Sequence, residues 1–354
     1  MTAITTDELH IFLTELLQKY GLNEENSHIV ADIYIEEAKR GVGHHDLHNL
    51  PSRLDALEDD LVKPDPVFTE TASFGALEQW DGNNGLGEVI NHFSMERAIA
   101  LAQEHGVGIC TFRNSNHYLC SMPYIMQAVH AGCIGLMIAK GQPTMGIPGS
   151  TVNVIGQSPI GFAFPVGKSD PVAFDACLAY VSGEELAQRA SRNEQIPFWW
   201  GVDGNGNPTS SAKELLTGIK NPIGEHKGFA LAILCELLTG VFSGGLVLDE
   251  KDDTPHAPGR SSSHTAIAIR TDALMSPEEY AEKSRQLVTR LRARDEKVHI
   301  PGERAWVHIR ACDECKKIDL DEDLISALNI YAEKKGIEKR LAFDFLKEGA
   351  PAAT

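Results

Sequence analysis

No apolar stretch in the chain approaches the roughly 20 residues a spanning helix needs, and the first 20 residues read as an amphipathic helix rather than a charged, apolar and small-residue leader. The expectation from these absences is a cytoplasmic protein with no membrane partner. A basic surplus is missing too. With 32 Lys and Arg against 50 Asp and Glu, the net charge of −18 argues against nucleic acid, whose binding needs basic patches that displace counterions. Any anionic ligand must then be met by locally basic groups. The seven cysteines, at 110, 120, 133, 177, 235, 312 and 315, lie mostly within apolar runs, which suits reduced core thiols better than a disulfide framework. Cys312-x-x-Cys315 has no second pair to complete a zinc set, so it reads as two unconnected thiols and no metal is assigned. The familiar cofactor fingerprints are absent as well. There is no G-x-G-x-x-G between a strand and a helix and no Walker A loop, and Asp81-Gly82-Asn83-Asn84-Gly85-Leu86-Gly87 has the wrong spacing for either. Repeats and low-complexity tracts are also lacking.

What is present is an ordinary globular composition, 354 residues at 42% hydrophobic, long enough for a large core and two domains. Leu9, Phe12, Leu13, Leu16, Leu17 and Tyr20 recur at helical steps, and Asn23 caps a second helical pattern through Ile29, Val30, Ile33 and Ala38. After the loop KPDPVFTETAS, strand-like runs (ALEQW, VGICTF, CIGLMIA, IGFAFPV, PVAFD) alternate with helical ones at 87–105, 121–131 and 183–193, which points to an α/β domain. The segment 228–242 is apolar nearly all round and is expected to lie buried against the sheet. A strand HTAIAIR follows at 264–270, and Ser276-Pro277-Glu278-Glu279 forms a capping box for a charged helix to about Arg294. The region beyond is mixed, with an amphipathic helix at 321–335 and a frayed tail from about Glu348. The division expected is a mainly helical domain of residues 1–72 with 277–354, and an α/β domain of 73–276.

Three polar clusters stand out. Arg113-Asn114-Ser115-Asn116-His117 follows an apolar strand and precedes a helix, which puts His117 at the carboxyl end of a strand, the edge where α/β proteins bind ligands. In Gly43-His44-His45-Asp46-Leu47-His48-Asn49-Leu50-Pro51, His44 and His48 are four apart, a spacing that places two imidazoles on one helix face, with Asp46 able to orient either ring. No third ligand stands at a characteristic spacing, and Pro51 disfavours helical geometry at Leu50. Gly224-Glu225-His226-Lys227-Gly228 opens the apolar helix, and a helix N-terminus with a lysine makes an anion site. The glycine-rich loop at 81–87 either approaches a ligand closely or is a turn with capping asparagines.

Taken in order, these clusters resemble a known family. RNSNHY is similar to the NSNH motif, GEHKGFALAILCELLTGVFSG to the HKG-plus-helix segment, and IPGE at 300–303 to a late PGE loop of the malate/L-lactate dehydrogenase type 2 family, which includes ureidoglycolate, sulfolactate and 2,3-diketogulonate oxidoreductases and cyclic-imine carboxylate reductases. The similarity runs from the first helices to about residue 335, and FGALEQWDGNNGLGEV looks particularly like the 2,3-diketogulonate reductase branch.

The resemblance implies an NAD- or NADP-dependent oxidoreductase that moves hydride between the nicotinamide and a 2-oxo acid/2-hydroxy acid pair. Its fold would be α/β, a non-Rossmann mixed-sheet domain of the sulfolactate dehydrogenase-like type with a separate helical domain, assembled as a homodimer. By the same resemblance His117 is an acid/base and Asp203, in WWGVDGNGNPT, joins a catalytic relay. The family's Ser-His-Gly segment, followed by an arginine, maps to His44, His45, Asp46 and Asn49, so His45 is the second acid/base candidate and the arginine that would clasp a carboxylate is missing. Arg53 lies one turn on. His44, His48, Asn49, Arg53 and Asn116 are the substrate-binding set, and three histidines without that arginine favour a sugar-acid type substrate bound through neutral imidazoles. Cofactor contacts map to Asp175-Ala176-Cys177, to His226-Lys227-Gly228 and to Gly302-Glu303, with Leu178 and Ala179 replacing the usual small hydroxyl residues. The alternatives are a cyclic-imine carboxylate reductase, a metal-dependent hydrolase or lyase using HHDLH, and a family member that binds a ligand without turnover.

Overall fold

The computed structural model describes residues 1–43, 45–251 and 262–341. His44 and the tail from about Glu348 lie outside the described residues. The chain forms two compact units, one of residues 1–66 with the described residues from 302, the other Val67–Pro301. The helix at 277–292, grouped by sequence with the N-terminal helices, falls in the second unit.

The first unit begins with β1 (Thr2–Thr5), α1 (Thr6–Lys19), α2 (Glu24–Lys39) and α3 (Leu50–Glu58). Thr5 and Glu8 close a capping box that starts α1, and the Asn23 side chain accepts from Asn26 N–H to start α2. α1 packs on α2, and Leu9, Phe12, Leu13 and Leu16 of the one and Val30 and Ile33 of the other are buried, as the helical spacing predicts. Pro51 does not exclude Leu50 from the helix, because it occupies the first turn, where its missing N–H breaks no bond.

The second unit carries β2 (Thr69–Phe74), β3 (Leu77–Asp81), α4 (Gly87–His105), β4 (Val107–Ser115), α5 (Met122–His130), β5 (Cys133–Ala139), β6 (Pro143–Met145), β7 (Ile155–Gly156), β8 (Ile160–Val166), β9 (Ser169–Ala176) and α6 (Gly183–Ser191). It continues through β10 (Gly201–Val202), α7 (Ala212–Leu216), β11 (Ile219–Lys220), α8 (His226–Glu236), β12 (Ser262–Arg270) and α9 (Pro277–Arg292). The chain then returns to the first unit with α10 (Glu303–Cys315), β13 (Lys317–Leu320), which pairs with β1, and α11 (Glu322–Lys334).

Seven strands form a mixed sheet in the order β2-β3-β4-β12-β5-β8-β9, in which β3 and β4 are the parallel pair and the other neighbours are antiparallel. Four short strands form a second sheet, β10-β11-β6-β7. This is the mixed, non-Rossmann architecture that the resemblance implied, and it explains the missing G-x-G-x-x-G. That fingerprint serves the first turn of a parallel β-α-β-α-β half. β4 runs three residues beyond its apolar core because Arg113 pairs with Asp81 and Ser115 with Ser262. The core beneath β3 and β4 is aromatic, with Trp80, Phe93 and Phe112 in mutual contact at ring separations of 5.2–6.1 Å.

α8 departs from expectation. Its inward face carries the small groups Gly228, Ala232 and Cys235 with the buried Glu236, followed by Thr239 and Gly240 in the π-helical turn Leu237–Val241 that prolongs it. Leu231, Leu234, Leu237, Val241 and Phe242 stand 42–54% exposed. The helix therefore packs closely on one side and leaves an apolar face uncovered, rather than lying wholly buried.

Candidate active site

The polar segment at the end of β4 is held from three sides. The Asp81 carboxylate accepts from Arg113 Nε at 3.1 Å, Asn114 Nδ2 at 2.7 Å and Asn83 N–H at 2.8 Å, so one acid at the end of β3 ties the glycine-rich loop to the end of β4. Asn83 and Asn84 take left-handed backbone, which asparagine tolerates, and Gly82 and Asn84 N–H donate to Arg113 and Asn114 carbonyls at 2.9 Å. The Asn116 amide then donates back to Asn84 Oδ1 at 3.0 Å and to the Gly85 carbonyl at 2.8 Å. Gly87, the first residue of α4, lies so close that a Cβ there would sit 2.3 Å from both the Asn116 and His117 carbonyl oxygens. In this structure the loop is a brace for the NSNH segment. Its glycine lets a helix end rest on the catalytic candidate's backbone.

His117 is half-buried, and its Nδ1 accepts from Leu119 N–H at 3.1 Å. A backbone N–H can only donate, so Nδ1 is unprotonated and the neutral ring carries its proton on Nε2. On the far side, Asp175 at the end of β9 accepts from Ser121 N–H at 2.8 Å, fixing the start of α5 and with it the loop 117–121. The Tyr118 phenol, buried and close to that carboxylate, is held well above its ordinary pKa and stays protonated. Its hydroxyl lies 3.2 Å from Ser121 Oγ.

His264, fully buried at the start of β12, supports the segment from beneath. Its Nε2 donates to the Asn116 carbonyl at 3.1 Å, its ring meets Tyr118 edge-on, and burial pushes its pKa down to about 3. The sign of the linkage follows. The unfolded ring takes a proton near pH 6.5 and the folded ring does not, so the stability that His264 contributes is complete above pH 6.5 and is lost as pH falls, on the order of 1.4 kcal/mol per pH unit.

The histidine-rich segment is in the first unit. His45 has a left-handed backbone, φ 59°, and Leu47–Asn49 is a single tight turn, so residues 45–48 form no continuous helix. His48 is not neutral, contrary to expectation. Its Nδ1 meets Asp46 and its Nε2 meets Asp321, both at 2.7 Å, and these carboxylates raise its pKa to about 9 against the cost of burial. Asp321 also caps α11 through Leu324 N–H, so His48 clamps the turn to that helix. Its share of stability is complete below pH 6.5 and is lost as pH rises through about 9. Thermal denaturation as a function of pH should therefore show acid loss from His264 and alkaline loss from His48. The ratio of the two losses is read by comparing His264→Asn and His48→Asn with the parent chain.

At the start of α8, His226 and Lys227 are exposed, and Gly228 approaches Ile223 so closely that a Cβ would lie 2.3 Å from its carbonyl oxygen. Glu225 precedes them at φ 54°, ψ −111°, a backbone region suited to glycine. Glu225→Gly should raise the melting temperature by about 2–4 °C, corresponding to roughly 1 kcal/mol of relieved strain. Asp203 follows β10 and accepts from Asn205 and Asn207 N–H at 2.8 and 2.9 Å, which holds its carboxyl below the usual range and shapes the turn DGNGN. Gly302 caps α10 in left-handed backbone, and Glu303 is that helix's first residue.

A family model described as malate/L-lactate dehydrogenase matches residues 4–329. The chain belongs to the malate/L-lactate dehydrogenase family. Among curated members, it is 29% identical to the malate dehydrogenase of Pyrococcus horikoshii over 316 residues, 86% of each chain. It is 28% identical to the malate/(S)-sulfolactate dehydrogenase of Methanothermus fervidus, covering 95% of this chain and 98% of that one. Among solved structures, the sulfolactate dehydrogenase from Methanocaldococcus jannaschii superposes with a TM-score of 0.86 at 25% identity, over 95% of this chain and 98% of that chain.

Within this family member, Asn116, His117 and Asp175 are brought into one network through Ser121 and the loop between them. Asp203, His226 and Lys227 stand at other places of the same unit. His45, His48, Asn49, Arg53, Gly302 and Glu303 are in the first unit, and His44 is outside the described residues. Among the described residues no three His, Cys, Asp or Glu side chains converge as a metal set, and all seven cysteines are free. Two buried lysines escaped the sequence reading. Lys140 meets Glu236 at 3.5 Å and donates to the Leu246 and Leu248 carbonyls, and Lys220 lies in the smaller sheet. Lys140 directly follows the apolar run CIGLMIA, whereas Lys220, in TGIKNP, carries no such mark.

Proposed function

We propose that the chain is an NAD- or NADP-dependent oxidoreductase that interconverts a 2-oxo acid and a 2-hydroxy acid, with His117 giving and taking the proton. The observation carrying this reading is the fixed tautomer of His117. Leu119 N–H occupies Nδ1, so the exchangeable proton is on Nε2, at the end of a strand braced by Asp81, Gly87 and Asp175. An imidazole works near neutral pH without large tuning.

A bound nicotinamide would supply hydride to C2 of the substrate. His117 would deliver the proton from Nε2 to the carbonyl oxygen, and to the nitrogen where the substrate is a cyclic imine. Asn116 Oδ1, buried and without a hydrogen-bond partner among the described residues, offers an acceptor for the hydroxyl of the product, and leaving it unmet costs roughly 1–3 kcal/mol. His45 is the second group able to move a proton in this reading, supported by its left-handed backbone, since such strain gathers at functional sites. Asn49, Arg53, His44 and His48 complete the proposed substrate set, and Asp203 the relay.

The residues present fit a dinucleotide. Exposed His226 and Lys227 stand on the first turn of α8, where the helix end favours phosphate, and Gly228 keeps that end close to Ile223. Asp175, Ala176, Cys177, Gly302 and Glu303 are the other proposed contacts. The uncovered apolar face of α8 supports a homodimer, and the free thiols support a reducing cytoplasmic setting. No described helix is long and apolar enough to cross a membrane.

Scanning fluorimetry with NAD, NADH, NADP and NADPH tests the cofactor. A ligand at one hundred times its Kd stabilises the folded state by about 2.7 kcal/mol, so one pair should raise the melting temperature by several degrees. An unchanged melting temperature with all four would remove the nicotinamide from this reading.

A further inference from the structure

Lys220 is a buried lysine with no counter-charge among the described residues. It is 8% exposed, in the middle of the β10-β11-β6-β7 sheet, with its backbone paired to Gly201 and Met145. Among the described residues its Nζ has one hydrogen-bond partner, the neutral Gln157 Oε1 at 2.8 Å, and no carboxylate in ion-pair range. An ammonium has three protons to place, and burying it unpaired is costly. Burial accordingly lowers its pKa, and the neighbouring Cys177, whose own pKa burial raises, supplies no charge near neutral pH.

The neighbouring backbone adds positive potential through a helix N-terminus, in a first turn that also carries Glu184 and Glu185. Lys220 Nζ lies 3.9 Å from where a Cβ on Gly183 would sit, and Gly183 is the first residue of α6, whose N-cap Ser182 accepts from Glu185 N–H. An ammonium and a helix N-terminus converging repel each other and together attract an anion. The strand carrying Lys220 is joined to the segment after β9. Tyr180 N–H donates to the Asn221 carbonyl, Ile223 N–H to the Leu178 carbonyl, and Leu178 N–H to the Gln157 carbonyl. At 178 and 179 this chain has no hydroxyl, and both side chains are buried and apolar. Those two side chains offer an anionic group no donor, and the adjoining strand offers the Lys220 ammonium.

We propose that Lys220, together with Gln157 and the start of α6, is an anion site that receives a phosphate or carboxylate group of a ligand lying along Asp175–Ala179. The placement of the ligand rests on the nicotinamide reading; the site itself does not. The bound oxygen takes the second and third ammonium protons and balances the charge.

The test compares the full-length chain with Lys220→Met and Lys220→Arg, using inorganic phosphate, NADH, NADPH and pyruvate as separate probes in calorimetric titrations. At least one probe should bind the parent at least tenfold more tightly than it binds Lys220→Met, and Lys220→Arg should recover most of the loss, because a charge-assisted bond carries that much. Phosphate sensitivity identifies a phosphate group as the ligand chemistry, and pyruvate sensitivity alone identifies a carboxylate. Without ligand, Lys220→Met should melt at the same temperature as the parent or higher, since it removes an unpaired buried charge. Affinities within threefold of the parent for every probe, or no binding of any probe to the parent, would overturn the site. If phosphate binding depends on Lys220 while no nicotinamide binds, the anion site stands and the function reading fails. If NADH or NADPH is consumed with a 2-oxo acid but no affinity depends on Lys220, the reverse holds.

Discussion

His117→Ala lowers turnover about 10²–10⁴-fold, the usual worth of a positioned proton donor, while leaving the affinity for the nicotinamide near that of the parent. The alanine also strips Leu119 N–H of its acceptor, so a second substitution separates proton transfer from loop geometry. His117→Asn places an amide oxygen near the position of Nδ1 and can accept from Leu119, yet it has no titratable proton. The expected result is a melting temperature close to the parent's with turnover as low as that of the alanine variant, and loss of the pH dependence that the imidazole imposes. Steady-state kinetics across pH, with fluorescence titration of the cofactor, reads all three. Near-parental turnover in His117→Asn would take the proton away from His117 and pass it to His45.

Gly87→Ala produces a large structural effect at the site itself. The new methyl would sit 2.3 Å from two backbone oxygens and 2.6 Å from the His117 carbonyl carbon, and none of these can rotate away as a side-chain end could. Either α4 lifts or the Asn116–His117 segment moves. Overpacking of this kind costs about 1–3 kcal/mol, which lowers the melting temperature by several degrees. Turnover should fall further than stability implies, because displacement of a catalytic group by about 1 Å costs on the order of 10²-fold. Gly141→Ala is the control, since a Cβ there meets nothing within 4 Å, and it should leave both quantities unchanged.

The parts legible in the sequence were those with local causes. Asn23, and Ser276 with Glu279, start their helices through hydrogen bonds spanning three residues, so the local sequence locates them. His117 could be placed because an apolar strand ends beside it. α10 was not readable, since Trp306 is its one buried side chain and gives no period. The uncovered face of α8 was hidden for the opposite reason. Apolar residues lie nearly all round it, and the inward side is marked by small residues at 228, 232 and 235 and by the buried Glu236. His264 carries no local mark of its role, because its partner Asn116 lies 148 residues away in sequence. His48 shows the same limit. Asp46 was visible as its neighbour, but Asp321, which completes the clamp and keeps the ring charged, comes from the far end of the chain.

The most direct test follows the hydride itself. NADH and NADPH carrying deuterium at C4 of the nicotinamide, on the transferred face, are incubated with the enzyme and with pyruvate, oxaloacetate, diketo sugar acids and cyclic imines in turn. The products are then weighed by mass spectrometry. The account predicts, for at least one substrate, a 2-hydroxy acid or cyclic amino acid with one deuterium at C2, formed at a rate that collapses in His117→Asn. Folded enzyme that yields no deuterated product from any of them would contradict it.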